Sequence, residues 1–409
     1  MLNFEYQNPT KIIFGRSQLS KISQEIPSDA RVLITFGSER VRQSGLLEQI
    51  KQQLGSRAVF EFSGIQPNPD YDVLMEAVQF VHQEKITYLL AVGGGSVIDG
   101  TKFIAAATYW ELGDPWELVL HQGKGIRHAI PIGCILTLPA TGSESNPHAV
   151  ISRSVRQISL PSAGGFQASS GAFAMQRQAE HEKLEFSNDA VYPKFALLDP
   201  ELTLTLNKTQ IGLAIIDALT HVFEQYLTYP VGATLQDRFA ESVIQTLLTD
   251  GLYSYEHPND YQSRANFMWS ASMALNGLIG AGVPQDWSTH LVGHELTALF
   301  DVSHAQSLAV ILPAMLTVRM NEKSDKLEQL GIRVWQLDSN TSSIQEQVIE
   351  KIKQIFIHLG AKITLSELQI SESDIPVIID RLKKHHAVGI GEHNNMSLED
   401  CERVLKAAL

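Results

Sequence analysis

The stretch IGLAIIDALTHVF (residues 211–223) is apolar except for Asp217, Thr220 and His221. Asp217 and His221 are four residues apart, so on a helix they leave one face, one turn from each other. A carboxylate and an imidazole on such a helix are costly to bury unless something pairs with them. Any fold of this chain must therefore bring partners to that face. THLVGHELTALFDVSH (289–304) offers them: His290 and His294 repeat the four-residue step, and His304 comes after enough chain to end one helix and return. One carboxylate with several imidazoles suits Zn²⁺ or Fe²⁺ and also accepts Co²⁺ or Ni²⁺. Few protein ligands and an open position mark a catalytic site more than a structural one. His294-Glu295 begins like the HExxH of zinc proteases, but Ala298 stands where the second His belongs, so that motif is incomplete.

The first half of the chain has a different texture. RVLITF (31–36), AVFEF (58–62), YLLAV (88–92) and PIGCILTL (131–138) read as strands, with helical patterns such as YDVLMEAVQFVHQE (71–84) between them. This alternation predicts a parallel sheet flanked by helices. KIIFG (11–15) reads as an edge strand whose pairing partner is open, a second subunit included. YLLAV runs into GGGS (93–96), and VIDGTKFIAAATYW (97–110) reads as a helix. A strand, a glycine-rich turn and a helix N-terminus together favour a phosphate, because glycines let the backbone approach and the free N–H groups point at the anion. Asp99 and Lys102 in the first turns of that helix read as surface charge. LPATGSESN (138–146) comes after another strand and places Thr141, Ser143, Ser145 and Asn146 where open α/β sheets bind ligands, or where a polar turn caps a helix.

Residues 154–181 are rich in Gly, Ser, Ala and Gln with little periodicity and read as an inserted loop beside a cleft. After LLDP (197–200) the apolar spacing becomes helical to the end. The expected organisation is an α/β dinucleotide-binding domain over residues 1–200 and a helical metal-binding domain over 201–409. A formal charge of −13 argues against nucleic acid or an anionic membrane as partner. Two cysteines give no disulfide framework, and the N-terminus lacks the basic and apolar regions of a signal peptide, so the expectation is a cytoplasmic protein.

Taken together, NPTKIIFG, GIQPNP, AVGGGSVIDGTKF, LTLPATGSESN, LLDP and the Asp/His helices resemble the iron-containing (group III) alcohol dehydrogenase family, most of all its NADPH-dependent aldehyde reductase and butanol dehydrogenase branch. The resemblance implies a Rossmann-like N-terminal domain, an all-helical C-terminal domain, a cleft between them and a homodimer. It implies one divalent metal, iron or zinc with nickel or cobalt as alternatives, held by Asp217, His221, His290 and His304. His294 matches a cleft His near the nicotinamide, and Asp99 faces the cofactor side. Gly94, Gly95 and Ser96 would hold the pyrophosphate, with Thr137, Thr141 and Asn146 lining the groove, Asn68 by the nicotinamide and Lys183 near the ribose. Relatives reach the matching Lys soon after the strand that ends near Arg153, whereas here residues 154–181 intervene.

The implied chemistry is hydride transfer from NADPH to a metal-polarised carbonyl, with a proton reaching the oxygen through water, a ribose hydroxyl or His294. NADP(H) is read from the end of RVLITF: NAD-using relatives carry an Asp where this chain has Gly37, and Ser38 and Arg40 come next, with Arg42 close by. Trp269, Trp287 and Phe300 near the metal segments favour small neutral carbonyls. Three alternatives stand beside this reading: a glycerol-type polyol dehydrogenase, a dehydroquinate-synthase-like lyase that also uses nicotinamide and metal, and a metal-dependent hydrolase.

Overall fold

The computed structural model describes the chain over residues 1–155, 180–385 and 389–409. The expected loop at 154–181 therefore lies outside the described residues except at its two ends. Six strands form one parallel sheet: β1 (Lys11–Phe14), β2 (Arg31–Phe36), β3 (Ala58–Phe62), β4 (Tyr88–Gly93), β5 (Ile132–Leu136) and, later in the chain, Phe195–Leu198. Between β5 and that last strand, β6 (His148–Val155) and β7 (Glu180–Ser187) pair antiparallel as a separate two-stranded sheet, which makes Phe195–Leu198 β8. The main sheet runs in the order β1-β8-β5-β4-β2-β3. β1 pairs with β8 of its own chain, so KIIFG finds its partner internally.

Alternate residues of each strand serve opposite faces, as the period of two requires. Leu89 and Ala91 of β4 pack with the helices α2 (Tyr71–Gln83) and α3 (Gly95–Ala107), whereas Leu90 and Val92 pack with α1 (Leu46–Leu54) on the other side. Each helix begins where its sequence allows it. Asp70 caps α2 by accepting from Asp72 N at 3.0 Å. The helical half opens with α4 (Lys208–Tyr226), whose start is a capping box between Asn207 and Gln210. Helices α5 (Ser288–Phe300) and α6 (His304–Val318) lie further along, joined by only three residues. Gly293 lets these two approach: a Cβ there would stand 2.9 Å from Ser307 Oγ.

The chain leaves β2 for β3 on one side and returns to β4 on the other. The carboxyl ends of β2 and β4 therefore flank a topological switch point, where open α/β sheets leave a crevice for ligands. The glycine turns lie there. A Cβ on Gly37 would stand 2.7 Å from the Ile65 carbonyl oxygen, and one on Gly95 would stand 2.4 Å from Thr141 Oγ1. Glycine permits the backbone approach at Gly37 and the seat of the Thr141 side chain against Gly95.

Lys102 departs from its sequence expectation. α3 is enclosed along nearly its whole length, and Lys102 is fully buried. The two-stranded sheet covers the face that periodicity marks as polar. Its ammonium donates to Ser143 Oγ at 2.8 Å, Asn146 Oδ1 at 3.1 Å and the His148 carbonyl at 2.7 Å. Burial brings its pKa down to about 8, opposed by the charge of Asp99. One cation thereby ties α3 to the turn between β5 and β6. Among the described residues no helix is long and apolar enough to cross a membrane.

Replacing Lys102 by Met takes the ammonium from Ser143 Oγ, Asn146 Oδ1 and the His148 carbonyl, although Asn146 Oδ1 keeps His148 N as a donor. The expected loss is about 3 kcal/mol of unfolding free energy, read from urea denaturation. A loss below about 0.5 kcal/mol would show that water or a neighbour replaces the ammonium freely.

Candidate active site

One cavity of about 1090 Å³ runs from the glycine turns at the switch point to the histidine-bearing helices. Its walls include every residue to which the family resemblance gives a part: Gly37, Ser38, Arg40, Asn68, Gly94, Gly95, Ser96, Asp99, Thr137, Thr141, Asn146, Lys183, Asp217, His221, His290, His294 and His304.

At the helical end, α4 supplies Asp217 and His221, α5 supplies His290 and His294, and His304 opens α6. Among the described residues, Asp217, His290 and His304 form the group whose ligand atoms all lie within 4.8 Å of one another. Asp217 Oδ1 is 3.6 Å from His304 Nε2 and 3.8 Å from His221 Nε2. His221 stands outside the three-residue group, with its ring stacked on that of His290 at a centroid distance of 4.8 Å. Asp217 Oδ1 and His290 Nε2 are buried without a hydrogen-bond partner. Burial costs a polar atom its water, so two such orphans in one cluster fit a cation.

The electrostatics agree. Burial lifts the Asp217 carboxyl to about 6, against the pull of His290 and Lys183. Burial also holds His221 and His304 well below the ordinary imidazole range, helped by the neighbouring imidazoles and, for His304, by Lys183. Neutral imidazoles offer lone pairs, as ligands must. His290 behaves differently because Nδ1 is hydrogen-bonded to Glu224 Oε2. Burial opposes a proton there, but the Glu224 carboxylate outweighs it and raises the pKa. With its proton on Nδ1, His290 presents a lone pair at Nε2. Glu224 is itself fixed by Thr289 N, which donates to Oε1 at 2.6 Å. Glu224 is absent from the sequence expectation, although it lies seven residues after Asp217 and nearly on the same face of α4.

His294 is buried with its ring 5.1 Å from that of His304 and 6.3 Å from that of His290. Lys183, on β7, is buried and brought down to about 8, with Asp217 and Asp99 opposing that shift. It therefore feels a carboxylate from each end of the cavity. Asp99 accepts from Ser143 Oγ at 2.5 Å and from Val150 N at 3.0 Å. Asn146 accepts from Lys102 and His148 N and donates to the Leu275 carbonyl at 3.2 Å. These two side chains hold the walls of the cavity as well as lining it. Asn68 and Trp287 have φ of 57° and 64°, the left-handed region that non-glycine residues rarely occupy.

Arg42 and two aromatics depart from their sequence expectations. Arg42 is taken by Glu61, at 2.7 Å, and by Glu39, and it does not line the cavity. Arg40 does, and it donates to Gln210 Oε1 at 3.3 Å. Of the three aromatics expected near the metal, only Trp287 lines the cavity. Trp269 is exposed and packs on Phe14 at 6.0 Å, and Phe300, the last residue of α5, is partly buried against the core formed with the C-terminal helices.

Residues 9–163 match the family model described as iron-containing alcohol dehydrogenase, and residues 213–409 match the C-terminal model of the Fe-containing alcohol dehydrogenase family. The chain is 44% identical to the NADPH-dependent aldehyde reductase YqhD of Escherichia coli over 100% of both sequences. It is 32% identical to the NADH-dependent butanol dehydrogenase A of Clostridium acetobutylicum over 99% of both. The crystal structure of E. coli K-12 YqhD is similar with a TM-score of 0.91, over 100% of this chain and 99% of that one.

Chelator competition and elemental analysis test the cluster. Glu224→Gln should weaken metal affinity about 10- to 100-fold by loosening the tautomer of His290. His290→Ala and His304→Ala should come out nearly empty, whereas His294→Ala should retain metal. A His294 variant as empty as the His290 variant would make His294 a ligand.

Proposed function

The chain belongs to the iron-containing alcohol dehydrogenase family, and we propose that it reduces small aldehydes to primary alcohols, reversibly, with NADPH and one divalent metal. The observation that carries this reading is the single cavity joining the glycine turns to the Asp217, His290 and His304 cluster. A dinucleotide laid across the switch point would have its pyrophosphate at Gly94, Gly95 and Ser96 and its nicotinamide toward the helices. A divalent ion, when bound, supplies Lewis acidity for a carbonyl oxygen. We assign it to Asp217, His290 and His304, with His221 as fourth ligand.

The remaining roles fall to the side chains around that centre. Lys183, between Asp99 and Asp217, holds hydroxyls of the nicotinamide ribose. His294 lies next to His304 yet outside the three-residue cluster, and we assign it to proton delivery. Asp217, His221 and His290 are nearly fully buried, so charges at the reacting end act in a lower dielectric than bulk water.

The residues just after β2 support a preference for NADPH. Gly37 admits no side chain, Ser38 and Arg40 line the cavity, and Glu39 is bonded to Arg42. A guanidinium pairs well with phosphate oxygens, and no carboxylate at Gly37 opposes a 2′-phosphate. Gly37→Asp is a poor probe of this idea, because its Cβ would press on the Ile65 carbonyl.

Absorbance at 340 nm, followed on protein of known metal content with butanal and each cofactor, tests the reading. NADPH should exceed NADH by at least about tenfold in kcat/KM, some 1.4 kcal/mol. Arg40→Ala should lower that ratio about fivefold or more. Equal use of both cofactors would refute the NADPH assignment, and undiminished activity after complete metal removal would refute the metal's part.

A further inference from the structure

Two cavity-lining side chains have no place in the chemistry above. His148 opens β6 and Glu185 lies in β7, and both line the cavity. The register sets Val150 opposite Glu185 and His148 opposite Ser187, so His148 and Glu185 are diagonal neighbours on one face. Ala149, Ile151 and Phe186 point the other way, into the core against α3. His148 Nδ1 lies 2.6 Å from Glu185 Oε1. Nearly half of each side chain is accessible, and among the described residues Glu185 Oε2 and His148 Nε2 have no hydrogen-bond partner. The pair also sits within electrostatic reach of the histidine cluster, since His148 acts on His221 and Glu185 on His290.

An accessible pair of this kind contributes little to stability. Its place explains more. We propose that the His148–Glu185 pair selects substrates by the end remote from the carbonyl, favouring aldehydes that carry a hydroxyl group over plain alkyl aldehydes. The proposal rests on the aldehyde-reductase reading of the site.

The chemistry of the pair narrows the choice. With His148 Nδ1–H donating to Oε1, Glu185 Oε2 is left to accept a hydroxyl proton. A carboxylated aldehyde would bring a like charge against Glu185. A cationic one would share the cavity with Lys183 and a bound cation. A neutral hydroxyl meets neither objection. An alkyl chain, in contrast, would strip water from Glu185 without replacing its hydrogen bond, the situation in which polar sites discriminate most strongly. Burial alone would push the Glu185 carboxyl up, but its bond to His148 and the nearby charges of His148, His290 and Lys102 hold it below the usual carboxylate range.

Glycolaldehyde and propanal differ by a hydroxyl in place of a methyl, so the ratio of their kcat/KM values with NADPH isolates the pair. Glu185→Gln and His148→Ala should each lower the glycolaldehyde-to-propanal ratio about tenfold relative to the parent enzyme, and Glu185→Leu should lower it further. Circular dichroism confirms that each variant is folded. A ratio within about twofold of the parent in all three variants, with propanal still reduced, would overturn the specificity assignment and leave the reductase reading intact. If the parent enzyme oxidised NADPH with neither aldehyde, the reductase reading would fall, and this assignment with it.

Discussion

Burying the Asp217 carboxylate among imidazoles is the constraint that shapes the helical half. A lone carboxylate in an apolar helix costs several kcal/mol of desolvation, roughly, even after relaxation. The fold answers by packing α6 on α4 and bringing the first turn of α5 to Glu224, with Gly293 permitting the close approach of α5 to α6. Glu224, one turn beyond His221, then fixes His290 so that its other nitrogen stays free within the cluster. The result is a set of donors that satisfies itself poorly and a cation well. Helices built only for stability would have kept that face apolar.

The other end of the cavity is shaped by backbone proximity instead of charge. Gly37 and Gly95 bring chain segments to distances that a Cβ would forbid, and they do so at the point where strand order reverses. The walls between the two ends are held by a buried cation, Lys102, and by Asp99 and Asn146, whose bonds join α3 to the turn after β5 and to β6, and Asn146 to the Leu275 carbonyl. Such networks are favourable only when every member is satisfied.

The two-stranded sheet completes the arrangement. It covers α3 and reaches α5, so β7 stands between the sheet half and the helical half. From it Lys183 and Glu185 enter the cavity two residues apart, one basic and one acidic. The small sheet therefore adds charged and polar groups to those that the helices bring to the reacting end.

The sequence by itself determined much of this. Apolar runs marked β1 to β5 of the main sheet, and four-residue steps of Asp and His marked the helices that meet at the site. These signals are legible because torsional preference and one-sided burial act within a few residues. Lys102 was not legible, since periodicity tells which face of α3 is polar but not that another sheet will cover it. Glu224 carries no local signal, because its role depends on which imidazole α5 brings to it. Arg42 could not be separated from Arg40 until Glu61, on a neighbouring strand, was seen to hold it. His148 and Glu185 lie far apart in the chain, and only strand register sets them side by side. Local sequence encodes what each segment can offer, whereas long-range packing decides which offers meet, because pairing partners are fixed by the closure of loops and cores that no short window contains.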